Sequence, residues 1–229
     1  MSVKLQCSKG FFRTMSEDQS PSARFATTQP DPLASALSSG IHYQADKRSW
    51  ILVTEQSSYA LGITPEGLVL HLYWGPRLLS FVGLPDPQLP HERTAQHPNL
   101  TVAREEYPVF GGLRYGETAL RAIFVDGTRD LDLRFADFEI IEQALLPELR
   151  IRLRDTVYPL HVTLHYKIDR ANDLIIRSVS FTNTDSNTII LERVFSAVWH
   201  LPRQLDGRTL ITLAGHRCFP HCKYDSSSH

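Results

Sequence analysis

Cysteine is scarce and placed away from the middle of the chain: Cys7, Cys218 and Cys222 are the only three, and they sit near the two ends. A central disulfide framework is therefore excluded, and this usage suits a reducing compartment. Long hydrophobic runs are missing as well. None approaches the roughly 18 residues of a membrane-spanning helix, and the first forty residues lack the apolar stretch of a signal peptide. The composition thus reads as a cytoplasmic protein with no membrane partner. There is no excess of positive charge either: 24 Lys and Arg stand against 25 Asp and Glu, a formal net charge of -1. That removes the electrostatic footprint of a nucleic-acid binder. A glycine-rich phosphate loop, a Gly-x-Ser-x-Gly nucleophile turn and an internal repeat are all lacking.

What is present is a chain of 229 residues with 42% hydrophobic content, enough for a sizeable core. Residues 1–40 are rich in Ser, Thr, Pro and Gln, with Pro30, Pro32 and Ser38-Ser39-Gly40 breaking any helix, and read as a mobile, disordered leader. Strand-like runs follow at 50–54, 57–63 and 68–74, the last two joined by Thr64-Pro65-Glu66-Gly67, which supplies turn geometry. The proline-bearing stretch 84–98 reads as a loop, because proline brings no N–H to a sheet. Asp126-Gly127 between apolar runs at 121–125 and 130–135 predicts a hairpin.

Period-two alternation marks two further strands. Leu149, Ile151 and Leu153 oppose Arg150, Arg152 and Arg154; Leu160, Val162, Leu164, Tyr166 and Ile168 oppose His161, Thr163, His165 and Lys167. Segments 174–181 and 188–199 are denser in apolar residues, as expected of strands covered on both sides, and a turn-prone Asn183-Thr184-Asp185-Ser186-Asn187 separates them. Many strands with short turns and no long amphipathic helix predict an all-β, large antiparallel sandwich.

Candidate chemistry is diffuse. His161 and His165 share one strand face with Lys167 and read as solvated histidines rather than metal ligands. His216, Cys218, His221 and Cys222 form a compact cluster, but with no framed turn around it, so no metal site is expected. Asp130, Asp132 and Asp137 read as a solvated face. The aromatics Tyr73, Trp74, Tyr107, Phe110 and Tyr115 are of the type that stacks on sugar faces, with core packing as the alternative. Three of them flank the loop 105–117, whose three glycines and two exposed-looking charges mark a shaped projection.

That loop carries a resemblance. Glu106-Tyr107-Pro108-Val109-Phe110-Gly111, continued by Arg114-Tyr115-Gly116-Glu117 and Asp126-Gly127-Thr128-Arg129-Asp130-Leu131, resembles the N-terminal domain of family 36 glycoside hydrolases, which include microbial and fungal α-galactosidases. The similarity runs on through 160–169, 174–186 and 192–202, ending in Trp199-His200-Leu201-Pro202, and covers about 41–215. It implies a β-supersandwich of the galactose mutarotase-like type, preceding a (β/α)₈ barrel that carries a nucleophilic and an acid/base aspartate of a retaining mechanism. Residues 203–229 leave no room for a barrel of about 250 residues. No catalytic residue or cofactor is therefore expected here, and the chain alone should not hydrolyse galactosides.

The family's stretch leading into the barrel has an Arg-Trp pair after a glycine, where this chain has Gly215 followed by His216-Arg217-Cys218. Residues 216–229 accordingly read as an aberrant or disordered tail and the chain as truncated before its barrel. In family oligomers loops of this domain reach a neighbour's pocket. The resemblance thus offers Arg114, Tyr115 and Glu117 as substrate-binding candidates, the charged pair acting through charge-assisted hydrogen bonds. It implies as partners an α-galactoside oligosaccharide, such as melibiose or raffinose, and a homo-oligomer. Two other readings stand beside it: a stand-alone carbohydrate-binding or oligomerisation module with Tyr107 and Tyr115 as a stacking platform, and a remnant without function.

Overall fold

The computed structural model describes residues 2–5, 36–89, 103–112 and 116–199. Among these every regular element is a β-strand, and all strand pairings are antiparallel. A four-stranded meander is built from β2 (Gly40–Gln44), β3 (Ser49–Val53), β4 (Ser57–Ile63) and β5 (Val69–Pro76), in that order. The turn between β4 and β5 closes as the sequence predicts, with Gly67 at φ +84° and its N–H donating to the Thr64 carbonyl at 3.0 Å.

The second large sheet has the order β1–β10–β9–β8–β7. Its members are β1 (Ser2–Leu5), β7 (Leu133–Ile141), β8 (Glu148–Asp155), β9 (Leu160–Asp169) and β10 (Leu174–Asn183). Ser2–Leu5 fall within the stretch read as a leader, yet they pair with Val179–Thr182 of β10; residues 6–35 lie outside the described residues. A small ribbon of β6 (Leu120–Ile123) and β11 (Ile190–Val194) stands apart.

The two large sheets face each other across one core. Trp50, Leu52, Tyr59 and Leu61 from the meander meet Leu149, Ile151, Leu160, Val162, Leu164, Tyr166 and Ile168 from the five-stranded sheet, each at most 2% exposed. The residues from the five-stranded sheet are among those that the alternation in 149–153 and 160–168 assigned to the dry face. Each side chain of this size taken out of water contributes roughly 1.5–3 kcal/mol, so this layer is the main source of stability. The outer face of the meander carries a smaller cluster of Ile51, Val53, Ala60 and Leu84, covered by the segment that follows β5.

Two expectations are corrected. The Asp126-Gly127 turn forms, with Gly127 at φ +82° and Phe124 N donating to Thr128 O at 2.9 Å, but β6 and β7 do not make a hairpin. β6 pairs with β11 and β7 with β8, so Leu120 and Ala122 on one side of the turn and Leu133 on the other enter the same core from different sheets. Segment 188–199 yields only the five-residue β11, and its burial alternates between exposed and intermediate instead of being covered on both sides.

Candidate functional site

The loop from Glu105 to Glu117 is attached to the sandwich over most of its described length. Glu105 bridges Leu70, and Glu106 N donates to Val69 O at 2.9 Å, so the loop begins as an extra partner along β5. Val109 bridges Leu120 in parallel, Ala119 N donates to Pro108 O at 2.7 Å, and Leu131 N donates to Phe110 O at 3.0 Å. At Gly111, φ is +146°, and a Cβ there would press into Asp130 Oδ1 and lie 2.6 Å from the Leu131 nitrogen. Asp130 Oδ1 in turn accepts the Gly112 N–H at 2.7 Å. Only glycine fits such a position.

Below the loop lies a cluster that the sequence reading did not foresee. The Glu106 carboxylate, fully buried, accepts hydrogen bonds from Tyr59 Oη at 2.9 and 2.8 Å and from Tyr166 Oη at 2.8 Å, and forms an ion pair with the guanidinium of Arg177. Arg177 is itself buried and lies 4.8 Å over the Tyr166 ring. Burial works against its charge, and the Glu106 carboxylate together with the Tyr166, Tyr59 and Tyr107 phenols outweighs it, so its pKa rises. Burial also pushes the Tyr59 and Tyr166 phenols well above the ordinary tyrosine value, and the negative charge of Glu106 adds to the effect on both. One sequence signal was available for Arg177: it shares strand parity with the inward-facing Ile175, Val179 and Phe181, a phase where a charge is out of place.

The surface side of this cluster is aromatic. Trp199, 39% exposed, packs edge-on to Tyr59 at 5.7 Å, lies 5.2 Å from Trp74, and has the Arg177 guanidinium 6.0 Å from its ring centre. Tyr107 is buried, and its hydroxyl donates to Phe195 O at 2.9 Å; burial raises its pKa strongly. Tyr107 is therefore part of the core and not a stacking platform. Phe110 is 39% exposed with Arg121 stacked 5.2 Å over its ring, and Tyr73 Oη donates to Pro76 O at 2.8 Å.

Of the three predicted sugar-contacting residues, Arg114 and Tyr115 lie outside the described residues. Glu117 is exposed and accepts a 2.8 Å hydrogen bond from Arg193 Nη1. The cluster His216, Cys218, His221 and Cys222 also lies outside the described residues. The aspartates read as one solvated face have separate partners: Asp130 holds Gly112, Asp132 pairs with Arg134 at 2.8 Å, and Asp137 pairs with Arg152 at 2.6 Å. His161 is half-buried. His165 is not solvated: it is 8% exposed, with Nδ1 2.9 Å from Glu148 Oε1 and Nε2 2.9 Å from Ser180 Oγ. Alternation predicted its face correctly but not the neighbours that cover it.

The family model "Glycosyl hydrolase family 36 N-terminal domain" matches residues 67–217. Among characterised proteins, the chain is 27% identical over 182 residues to the bifunctional α-galactosidase/sucrose kinase AgaSK of Mediterraneibacter gnavus, covering 69% of this chain and 19% of that one. It is 26% identical over 184 residues to α-galactosidase AgaA of Geobacillus stearothermophilus, covering 68% and 24%. Among solved structures, the α-galactosidase of Lactobacillus brevis superimposes with a TM-score of 0.60 at 21% identity, covering 69% of this chain and 24% of that one, a likeness of fold. The galactosidase domain of AgaSK gives 0.57 at 27% identity, covering 69% and 25%. The chain thus spans about a fifth to a quarter of the length of the curated relatives it matches. With the antiparallel sandwich in place and the family's own domain matched over well over half of the sequence, this chain belongs to glycosyl hydrolase family 36 and carries that family's N-terminal domain.

Proposed function

We propose that this chain is the noncatalytic N-terminal domain of an α-galactosidase, acting in the hydrolysis of terminal α-D-galactosyl residues only together with a catalytic domain. One observation carries the reading: the similarity to two α-galactosidases is confined to about a quarter or less of their length. The chemistry of the described residues agrees with it. The deepest carboxylate, Glu106, is committed to Arg177 and two tyrosines, which suits a rigid strut rather than a proton donor for a glycosidic oxygen.

AgaA variants of G. stearothermophilus have been crystallised in complex with raffinose and with stachyose. Oligosaccharides of that class are the substrates we assign to the assembled enzyme. In the same proposal Arg114, Tyr115 and Glu117 contact the sugar at the pocket of a neighbouring subunit. The anchored base of the loop supports this, since a contact residue is most useful on a rigid support. A homo-oligomer and a cytoplasmic location belong to the same reading. Among the described residues no helix is long and apolar enough to cross a membrane.

The test is hydrolysis of p-nitrophenyl α-D-galactopyranoside by the purified 229-residue chain, beside a chimera in which residues 1–217 replace the matched region of AgaA. The chain alone is expected to release no nitrophenol above buffer, and the chimera to be active. Turnover by the chain alone would overturn the proposal, and so would a folded but inactive chimera.

A further inference from the structure

On the outer face of the five-stranded sheet, away from the loop 105–117, three side chains from three strands form one hydrogen-bonded relay. His165 on β9 stands opposite Arg150 of β8 and Ser178 of β10, and its imidazole spans the sheet diagonally. Nδ1 lies 2.9 Å from Glu148 Oε1, and Nε2 lies 2.9 Å from Ser180 Oγ. The carboxylate is itself fixed, because Arg150 Nη2 donates to Glu148 Oε2 at 3.0 Å. The imidazole and carboxylate side chains are 10% and 7% exposed, while Ser180 is half-buried and so reachable from solvent.

A carboxylate can only accept, so it holds the neutral imidazole in the tautomer with the proton on Nδ1. Nε2 is then left with a lone pair aimed at the Ser180 hydroxyl. Nucleophile, base and orienting carboxylate in hydrogen-bond reach of one another are the geometry that activates a serine, and it is recognised by roles and not by sequence position. We propose that Ser180 is an activated nucleophile, a site of covalent acylation or phosphonylation by reagents that carry a good leaving group. This inference is independent of the galactosidase reading.

In the step proposed, Ser180 Oγ attacks the carbonyl carbon of an activated aryl ester or the phosphorus of a phosphonofluoridate. The new Oγ–C or Oγ–P bond forms as the bond to the leaving group breaks, and aryloxide or fluoride departs with the bonding pair. The Oγ proton passes to His165 Nε2 and then to solvent, and no oxidant or reductant is needed. Ser180 stands mid-strand, opposite Thr163 on β9 and Lys4 on β1, so its backbone groups belong to the ladder. The Ser180 N–H is therefore not offered to an oxyanion, which limits the site to one slow modification by an activated donor and argues against turnover on amides. Among the described residues the groups bearing on the base include Glu148 and Arg150 on β8, Lys167 on β9, Ser178 and Ser180 on β10, and Glu139 on β7 through its 3.7 Å contact with Arg150, while Lys4 stands opposite Ser180 on β1.

The experiment treats the 229-residue chain with a fluorophosphonate and follows intact mass and peptide mapping against pH. One adduct per chain on Ser180 is expected, at a rate that rises as the imidazole loses its proton, with Ser178 on the same face as an unlabelled internal control. Ser180→Ala should abolish the adduct, and His165→Gln should slow labelling by at least about a hundredfold. Glu148→Gln, a change at a positioning residue, should displace the pH profile. Labelling of Ser180 no faster than in the urea-unfolded chain would overturn the proposal, as would an unchanged rate in a folded His165→Gln variant. Should that variant fail to fold, the comparison of native, urea-unfolded and Ser180→Ala chains decides the matter.

Discussion

The guanidinium of Arg177 and the carboxylate of Glu106 pair inside the sandwich with side chains 1% and 0% exposed, although 71 positions separate them in the sequence. Removing one partner leaves the other as an uncompensated buried charge, a loss of about 3–5 kcal/mol. Arg177→Met and Glu106→Gln should each lower the unfolding free energy measured by urea titration by an amount of that order. The double variant should lose less than the sum, since the charge left unpaired by either single change is then gone. Denaturation at low and high salt should give the same ranking, because screening scarcely reaches a buried pair. Strictly additive losses would mean that the two groups do not act as a unit.

The tyrosines on that carboxylate predict an alkaline limit. Tyr59 and Tyr166 have their pKa values raised by burial and, secondarily, by Glu106, so the folded state keeps protons that an unfolded tyrosine gives up near pH 10. A raised value contributes stability that is fully present below the unfolded pKa and is lost as pH rises through the folded one. The melting temperature should therefore fall above about pH 10. Absorbance at 295 nm should show Tyr59, Tyr107 and Tyr166 ionising only as the protein unfolds. Ionisation of all eight tyrosines in the native baseline would contradict the structure.

How legible these features were depends on the range of the interaction. Leu149, Ile151 and Leu153, and likewise Leu160 through Ile168, announce their inward face because period two is local and unbroken. The second half of β7 was missed because the pattern shifts there: a bulge between Phe135 and Asp137 inserts a residue, so Phe135 and Phe138 both pack on the core although they are three apart. Glu106 reads as a loop charge until the fold brings Arg177 against it. The ribbon of β6 and β11 unites strands nearly seventy residues apart, and the nearby Asp126-Gly127 turn favoured the wrong partner. The loop's residues were recognised, but the rigidity of its base was not, since it comes from long-range bonds such as that from the Gly112 N–H to the Asp130 carboxylate.

That rigidity can be tested at Gly111. Its φ of +146° and the proximity of Asp130 Oδ1 and the Leu131 nitrogen leave no space for a methyl group. Gly111→Ala should destabilise the chain by more than about 1 kcal/mol and open the loop to limited proteolysis. Adding Asp130→Gly should not restore stability, because the Leu131 backbone remains 2.6 Å from the new Cβ and the bond to Gly112 is lost as well. Full rescue by the second change would place the clash in the carboxylate alone.

At the acidic end the relevant group is Glu148. Burial opposes its ionisation, but hydrogen bonds from Arg150 and His165 and the charges of Lys167 and Arg150 outweigh it, holding the carboxyl below its ordinary value. A lowered value contributes stability that is present above the unfolded pKa, about 4.3 for glutamate, and lost as pH falls through the folded one. Unfolding free energy should therefore decline below about pH 4.5, and Glu148→Gln should flatten that decline while costing stability at neutral pH. The partners that hold the carboxylate down join β8 to β9, so amide exchange in Glu148–Asp155 and Leu160–Asp169 should quicken in the variant before the meander responds. An acid limb identical to wild type would show that other carboxylates govern acid unfolding.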